Sequence, residues 1–285
     1  MTAGILFLLF PAVVAAEGGA VVETRTRREV VPLEGRETVL LVVDNVWGSI
    51  HVTGHDKPQI EMVAEEKTEA RSQTAFERAR QEVRLDVGRE GDEVTIFVDG
   101  PFRERDEHGF GCHRSLGYTV TYDFEIRVPH RTHLDVRTVN GGDVRVEGVL
   151  GDLRAANVNG HVTLERIGGG AVRATTVNGP VRARFDKNPT EDSTFKTVNG
   201  NVELWLQPGL SADLRFKTFS GEARTDFEVE PLPSDAVVER KEGDRRMFVA
   251  REWSRVRVSR GGPQLSFETF NGNILIRNAR GSDVR

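Results

Sequence analysis

The feature that most constrains this chain is a recurring turn. Asn-Gly stands at Asn140-Gly141, Asn159-Gly160, Asn178-Gly179 and Asn199-Gly200; Ser220-Gly221 continues the series and Asn271-Gly272 closes it, at steps of 19, 19, 21, 21 and 51 residues. The flanking side chains repeat in phase. Six, four and two positions before the turn come Leu134, Val136 and Thr138, and later Leu153, Ala155 and Asn157, Val172, Ala174 and Thr176, Ser193, Phe195 and Thr197, Leu214, Phe216 and Thr218, and Leu265, Phe267 and Thr269. Val162 and Leu164, Val181 and Ala183, Val202 and Leu204, and Ile274 and Ile276 follow the turns in a matching phase, as do Val144 and Val146 one residue later, after the extra Gly142. A period of two on both sides of a glycine turn reads as strand, turn, strand with one apolar face. Leu41, Val43, Asn45, Trp47-Gly48, Ile50 and Val52 form an outlying copy. The last step of 51 implies an insertion at 228–263 before the final copy.

Two architectures produce this pattern. An antiparallel meander would use each Asn-Gly as a type I′ hairpin loop. A β-solenoid would stack the copies with equivalent strands about 4.8 Å apart and the turns in register. Pro180, directly after one loop, lacks the N–H that closes a type I′ hairpin, and Gly142 spoils a strict two-residue loop. Stacked asparagines can also hydrogen-bond as a ladder. The expectation is an all-β, single-stranded β-solenoid-like stack of about 19–21-residue repeats. Its core should pass from Ala155, Ala174 and Ala183 to Phe195, Phe216, Phe219, Phe267 and Phe270.

One short helix and a hairpin interrupt the pattern within 64–117. The Glu, Arg, Ala and Gln of 65–81 predict the helix. Val83, Leu85 and Val87, a glycine turn, and Val94, Ile96 and Val98 predict the hairpin. A polar loop follows over 99–116, then strict alternation from Tyr118 to Val128, ended by Pro129. Two further strands are expected at 246–251 and 254–259. Residues 4–16 are apolar and end Val-Ala-Ala, which predicts a cleavable export signal over 1–16 and a location in the periplasm or at the cell surface. An extension over 17–36 and a repeat domain over 37–285 complete the expected organisation. After residue 16 no apolar run is long enough to span a bilayer. A formal charge of −5 argues against dedicated nucleic-acid binding, and a single cysteine excludes an internal disulfide.

Ile126-Arg127-Val128-Pro129, then Leu134 to Gly141, the recurring Thr-Val-Asn-Gly units and the closing 265–276 copy carry a family resemblance. The chain resembles the bacterial adhesin-like β-strand repeat domains of unknown function, of the toastrack type, over nearly all of 37–278. The resemblance implies stacked strand repeats at or near a bacterial envelope and no particular activity.

The chemistry is sparse. No nucleophile elbow, phosphate-binding glycine loop, zinc-protease helix or calcium loop is present. Asp106, Glu107, His108, Cys112 and His113 are the best metal-ligand cluster, but lack the four-ligand spacing of a structural zinc site, so a solvated loop without metal is expected. His51 and His55 are four apart, but a strand running into a turn points them differently. Arg154, Arg173 and Arg215 precede the turns by five residues, and Arg145, Arg182 and Arg224 follow them by four or five. Stacking would align such residues into outward arginine stripes able to grip carboxylates, phosphates or sulfated sugars. Interleaved Glu147, Glu165, Glu203 and Glu222 would neutralise part of that field. The Asn-Gly pairs themselves are architecture. The function expected is a non-catalytic binding or scaffolding module without cofactor, presenting a rigid polar sheet face to an envelope protein, glycan or anionic lipid. The alternatives are a carbohydrate-active enzyme on a β-helix scaffold, which needs carboxylates converging in a groove, and a self-associating structural protein.

Overall fold

The computed structural model describes residues 10–15, 20–35, 38–103, 116–233, 238–242, 245–249 and 253–279. These form two open sheets of 13 and 11 strands, parallel and antiparallel pairings mixed in each, with one α-helix. The N-terminal part supplies β1 (Phe10–Ala15), β2 (Val21–Pro32), β3 (Leu40–Asp44), β4 (Ile50–His55), β5 (Gln59–Ala70), α1 (Gln73–Glu82), β6 (Arg84–Glu90), β7 (Glu93–Asp99) and β8 (Tyr118–Pro129). The repeats follow as pairs: β9 (His133–Arg137) with β10 (Val144–Glu147), β11 (Leu153–Ala156) with β12 (Val162–Ile167), β13 (Val172–Thr175) with β14 (Val181–Phe185), β15 (Ser193–Lys196) with β16 (Val202–Leu206), and β17 (Ala212–Ser220) with β18 (Ala223–Thr225). After β19 (Val229–Pro231), β20 (Val238–Glu242), β21 (Arg245–Val249) and β22 (Ser254–Val258), the final pair is β23 (Gln264–Asn271) and β24 (Ile274–Asn278).

In every repeat the first strand joins the 11-stranded sheet and the second the 13-stranded one. Each Asn-Gly is therefore a corner between sheets, not a hairpin loop. Equivalent residues pair in parallel: Val136, Ala155, Ala174, Phe195, Phe267 and Phe216 form one buried row, and Val144, Val162, Val181, Val202, Ile274 and Ala223 face them from the other sheet. The two inner faces share one apolar core. Burial of each valine, isoleucine or phenylalanine among them contributes about 1.5–3 kcal/mol, so the apolar phase of the repeats becomes the stabilising interior.

The corners lock this register. Two residues before the turn, the Thr176, Thr197, Thr269 and Thr218 hydroxyls donate to the carbonyls of Gly160, Gly179, Gly200 and Gly272 on the neighbouring repeat, at 2.7–2.9 Å. Asn157 makes the same bond to Gly142 through its amide. One step outward, Asn159, Asn178, Asn199 and Asn271 each donate to the preceding asparagine's side-chain oxygen at 2.7–2.8 Å, the ladder that parallel stacking favours. Glycine is required because the backbones nearly touch. A Cβ on Gly179, whose φ is +153°, would lie 2.3 Å from the Gly160 carbonyl oxygen.

Sequence and stack disagree in order. The final pair does not close the stack: β23 lies between β15 and β17, and β24 between β16 and β18. The 228–263 segment explains why. Its β22 and β21 pair antiparallel along the outer edges of β17 and β18, leaving only their inner edges for the returning chain. At the other end β3 and β4 are likewise intercalated, between β7 and β9 and between β8 and β10. Arg257 anchors the β22 cap to β17 through two 2.8 Å bonds to the Asp213 carboxylate, which hold that carboxyl below its usual range.

Several expectations need correction. The helix begins at Gln73, after a Ser72 cap, not at Glu65. Glu65–Ala70 continues β5, because β2 and β8 pair with it on both sides. The 17–36 extension contains the twelve-residue β2. Phe219 and Phe270 are not core: they stack on each other outside the corner, rings 4.6 Å apart, with exposures of 63% and 49%. β1 pairs antiparallel with β2.

Two outcomes follow. Gly179→Ala should destabilise by roughly 2–4 kcal/mol through backbone strain and overlap. Thr176→Val should cost about 1–2 kcal/mol for the orphaned carbonyl. Urea denaturation of both variants measures this, and wild-type midpoints would refute the corner contact. Because the Asp213 value is depressed in the folded state, its contribution is full above the unfolded carboxylate pKa of about 3.9 and is lost as pH falls through the folded value. The stability gap between wild type and Asp213→Asn should accordingly be widest at neutral pH and close in strong acid; a gap independent of pH would contradict the pairing.

Candidate functional site

The outward faces follow from the same register, since every second residue of a strand points away from the core. On the 11-stranded sheet one row reads Asp135, Arg154, Arg173, Thr194, Ser266, Arg215. Arg154 and Arg173 are direct neighbours, whereas Thr194 and Ser266 separate them from Arg215. Arg145, Arg182 and Arg224 lie on the other sheet, in the row His51, Arg145, Thr163, Arg182, Glu203, Leu275, Arg224. The six arginines thus form two interrupted rows on different sheets. Those on the 13-stranded sheet meet acids: Arg145 with Glu147 at 3.4 Å, Arg182 with Glu203 at 3.6 Å, and Arg224 with Glu222 at 2.6 Å.

The 11-stranded row borders a groove of about 570 Å³ at the start of β9, β11 and β13. His133, Asp135, Asp152, Arg154, Arg173 and Asp192 line it. Sequence folds it through a second set of contacts between repeats. The residues before β11 and β15 carry a side-chain oxygen that accepts a backbone N–H of the neighbouring repeat: Asp152 takes Ala171 at 2.9 Å, and Asp192 takes Gln264 at 2.7 Å. His133 Nδ1 lies 3.0 Å from the Asp152 backbone amide and 3.2 Å from the Asp152 carboxylate. Arg154 reaches Asp135 at 3.8 Å, and Asp135 Oδ1 has no hydrogen-bond partner. Arg173 is exposed and pairs with no acid among the described residues. Three carboxylates therefore share one groove, two of them bound to neighbouring backbone.

Sequence reasoning did not flag Trp205 and Trp253. Trp205 lies between Arg184 and Arg277 on the 13-stranded sheet, the guanidinium carbons 5.1 and 5.6 Å from its ring centroid. Trp253 covers Arg215 at 3.7 Å, a cation–π contact that removes Arg215 from the open row. The signal for Trp205 was available, because its register sets it between two arginines, but the turn-based pattern gave outward positions no ranking. His51 pairs with Glu125 at 3.0 Å and His55 with the Gln59 carbonyl at 2.8 Å, so they serve separate contacts. Asp106, Glu107, His108, Cys112 and His113 lie outside the described residues. Among the described residues no cluster of three metal-ligating side chains occurs, and no helix is long and apolar enough to cross a membrane.

The chain is similar to solved structures of adhesin type. One is a candidate cell adhesion protein from Clostridium sporogenes, at 9% identity and a TM-score of 0.43, covering 90% of this chain and 99% of that one. Another is a candidate adhesin from Bacteroides fragilis, at 10% identity and 0.32, covering 90% and 96%. A third, a candidate lipid-binding protein from Parabacteroides distasonis, has 9% identity and 0.24, covering 93% and 98%. At these TM-scores the likeness supports no statement about a ligand. No family model and no curated protein matches the chain.

Proposed function

We propose that this chain is a non-catalytic, exported binding or scaffolding module of the bacterial cell envelope, built as a solenoid-like stack of strand–turn–strand repeats. The parallel register of the repeats supports the stack, with ladder asparagines 19, 19 and 21 residues apart over its middle. The observation that carries the binding role is Arg173. It sits beside Arg154 at the groove of the 11-stranded sheet, on rigid strands, with no acidic partner among the described residues. A guanidinium fork held this way suits a carboxylate or sulfate on an extended polar chain, and the neighbouring carboxylates suit its hydroxyls. An acidic glycan is the partner that matches both.

The carboxylates also favour a second reading, a carbohydrate-active enzyme, because Asp135, Asp152 and Asp192 share the groove. Two of the three are engaged by backbone amides of the next repeat, which fits a structural role better than proton transfer.

Glycan and lipid arrays probed with residues 17–285 test the reading. Binding to acidic sugars should weaken with salt, and Arg173→Ala should reduce it about tenfold or more, the cost of a charge-assisted hydrogen bond. Undiminished binding by Arg173→Ala, or turnover of a bound glycan that Asp135→Asn abolishes, would overturn it.

A further inference from the structure

An apolar row runs along the corner edge of the 11-stranded sheet, outside the groove and its arginines. The residue directly before each turn continues the outward phase of its strand. The row begins at Val46, before the Trp47 that is bridged to Asn140, passes through Val139, Val158, Val177 and Val198, and ends in Phe270 and Phe219. Backbone bonds fix that order: the Asn140, Asn159, Asn178, Asn199 and Asn271 amides each donate to the carbonyl of the row residue on the neighbouring strand. Ser220 pairs with Asn271, which places Phe219 beyond Phe270. At about 4.8 Å per strand the row is roughly 29 Å long.

Four large hydrophobic side chains are exposed among the described residues, and three of them, Val177, Phe270 and Phe219, stand in this row. No charge interrupts it. A continuous apolar surface is hydrated unfavourably, and on a folded domain it marks a contact site.

Size and charge along the row select the occupant. Valines fill one end and the middle, two phenylalanines fill the other end, and Val177 stands at the midpoint. A two-fold axis through Val177, perpendicular to the row and in the plane of contact, reverses the row upon itself. Phe219 of one copy then meets Val46 of the other, and Phe270 meets Val139, large side chains against small ones. Beside the row, three residues before the turns, Asp44 and Arg137 stand at the valine end and Glu268 and Lys217 at the phenylalanine end, with Lys196 next to Glu268. The same axis sets Asp44 opposite Lys217 and Arg137 opposite Glu268, unlike signs at both ends, and Lys196 opposite Ala156. Within each chain Arg137 and Arg103 already hold Asp44 at 3.1 Å, and Lys196 holds Glu268 at 2.9 Å. The flank therefore orients the contact and contributes little affinity.

We propose that this row is the contact of a homodimer, two copies packed antiparallel along it about a two-fold axis at Val177. A strip of that length and about 15 Å wide gives on the order of 400 Å² per copy, about half of a standard interface, so the dimer is weak and reversible.

Sedimentation of the full chain from micromolar to millimolar concentration should show a reversible monomer–dimer equilibrium. The double variant Phe219→Ser, Phe270→Ser should raise the dissociation constant about tenfold or more. In a Cys112→Ser background, Val177→Cys should form a disulfide-linked dimer on mild oxidation, because the axis brings its two copies together. Phe219→Cys should not, because its two copies lie at opposite ends of the contact, roughly 29 Å apart. Val177, Phe219 and Phe270 are exposed, and an unchanged melting temperature verifies the fold of each variant. A chain that stays monomeric throughout, including one that co-sediments with phosphatidylcholine vesicles as a monomer, would overturn the proposal. So would undiminished dimerisation of the double variant, or cross-linking of Phe219→Cys as readily as Val177→Cys.

Discussion

The structure depends on the approach of glycine to glycine at the corners. Because Gly160, Gly179 and Gly200 carry no Cβ, the carbonyl of one repeat comes within van der Waals contact of the next, and the threonine two residues before the turn can reach it. That bond satisfies a buried polar group and fixes the stagger between repeats together. A shift of one residue would turn Val, Leu and Phe outward along both sheets. The asparagine ladder outside the corner reinforces the register at little cost, since its side chains are exposed and each amide has an acceptor one repeat away.

At both ends of the parallel-paired repeats, antiparallel strands cover the outer edges. The 228–263 segment covers the outer edges of β17 and β18, and the final repeat then fills the gap inside them. At the N-terminal end β5 pairs antiparallel with β8, and β2 with β5. Edge strands carrying unpaired amides invite aggregation. Here the added strands also carry charges inward, with Arg25 and Arg27 of β2 paired to Glu23 and Glu29.

Much of this was legible because the repeats have a period of two and glycine turns at fixed phase. Leu41 and Val43 in β3, Ile50 and Val52 in β4, the hairpin of β6 and β7, and every middle repeat follow from it. The errors have physical causes. Glu65–Ala70 has helical composition, yet strands on both sides claim it. Phe219 and Phe270 are apolar but fall off the alternate-residue phase of Phe216 and Phe267, so at the corner they point outward. The order of the last two repeats is set by which edges the 228–263 segment occupies, and no local pattern encodes that. At the sites, sequence placed Arg154 and Arg173 side by side but gave no sign that Trp253 covers Arg215, since that contact joins segments far apart in the chain.

The intercalated order is the claim on which both faces rest, and disulfide trapping tests it directly. In a Cys112→Ser background, Asn199→Cys paired with Asn271→Cys should cross-link on mild oxidation, because the two corners are bridged neighbours despite their 72-residue separation. Asn199→Cys paired with Ser220→Cys should not, because the final repeat lies between them. Cross-linking of the second pair and not the first would show repeats stacked in sequence order and would contradict the account.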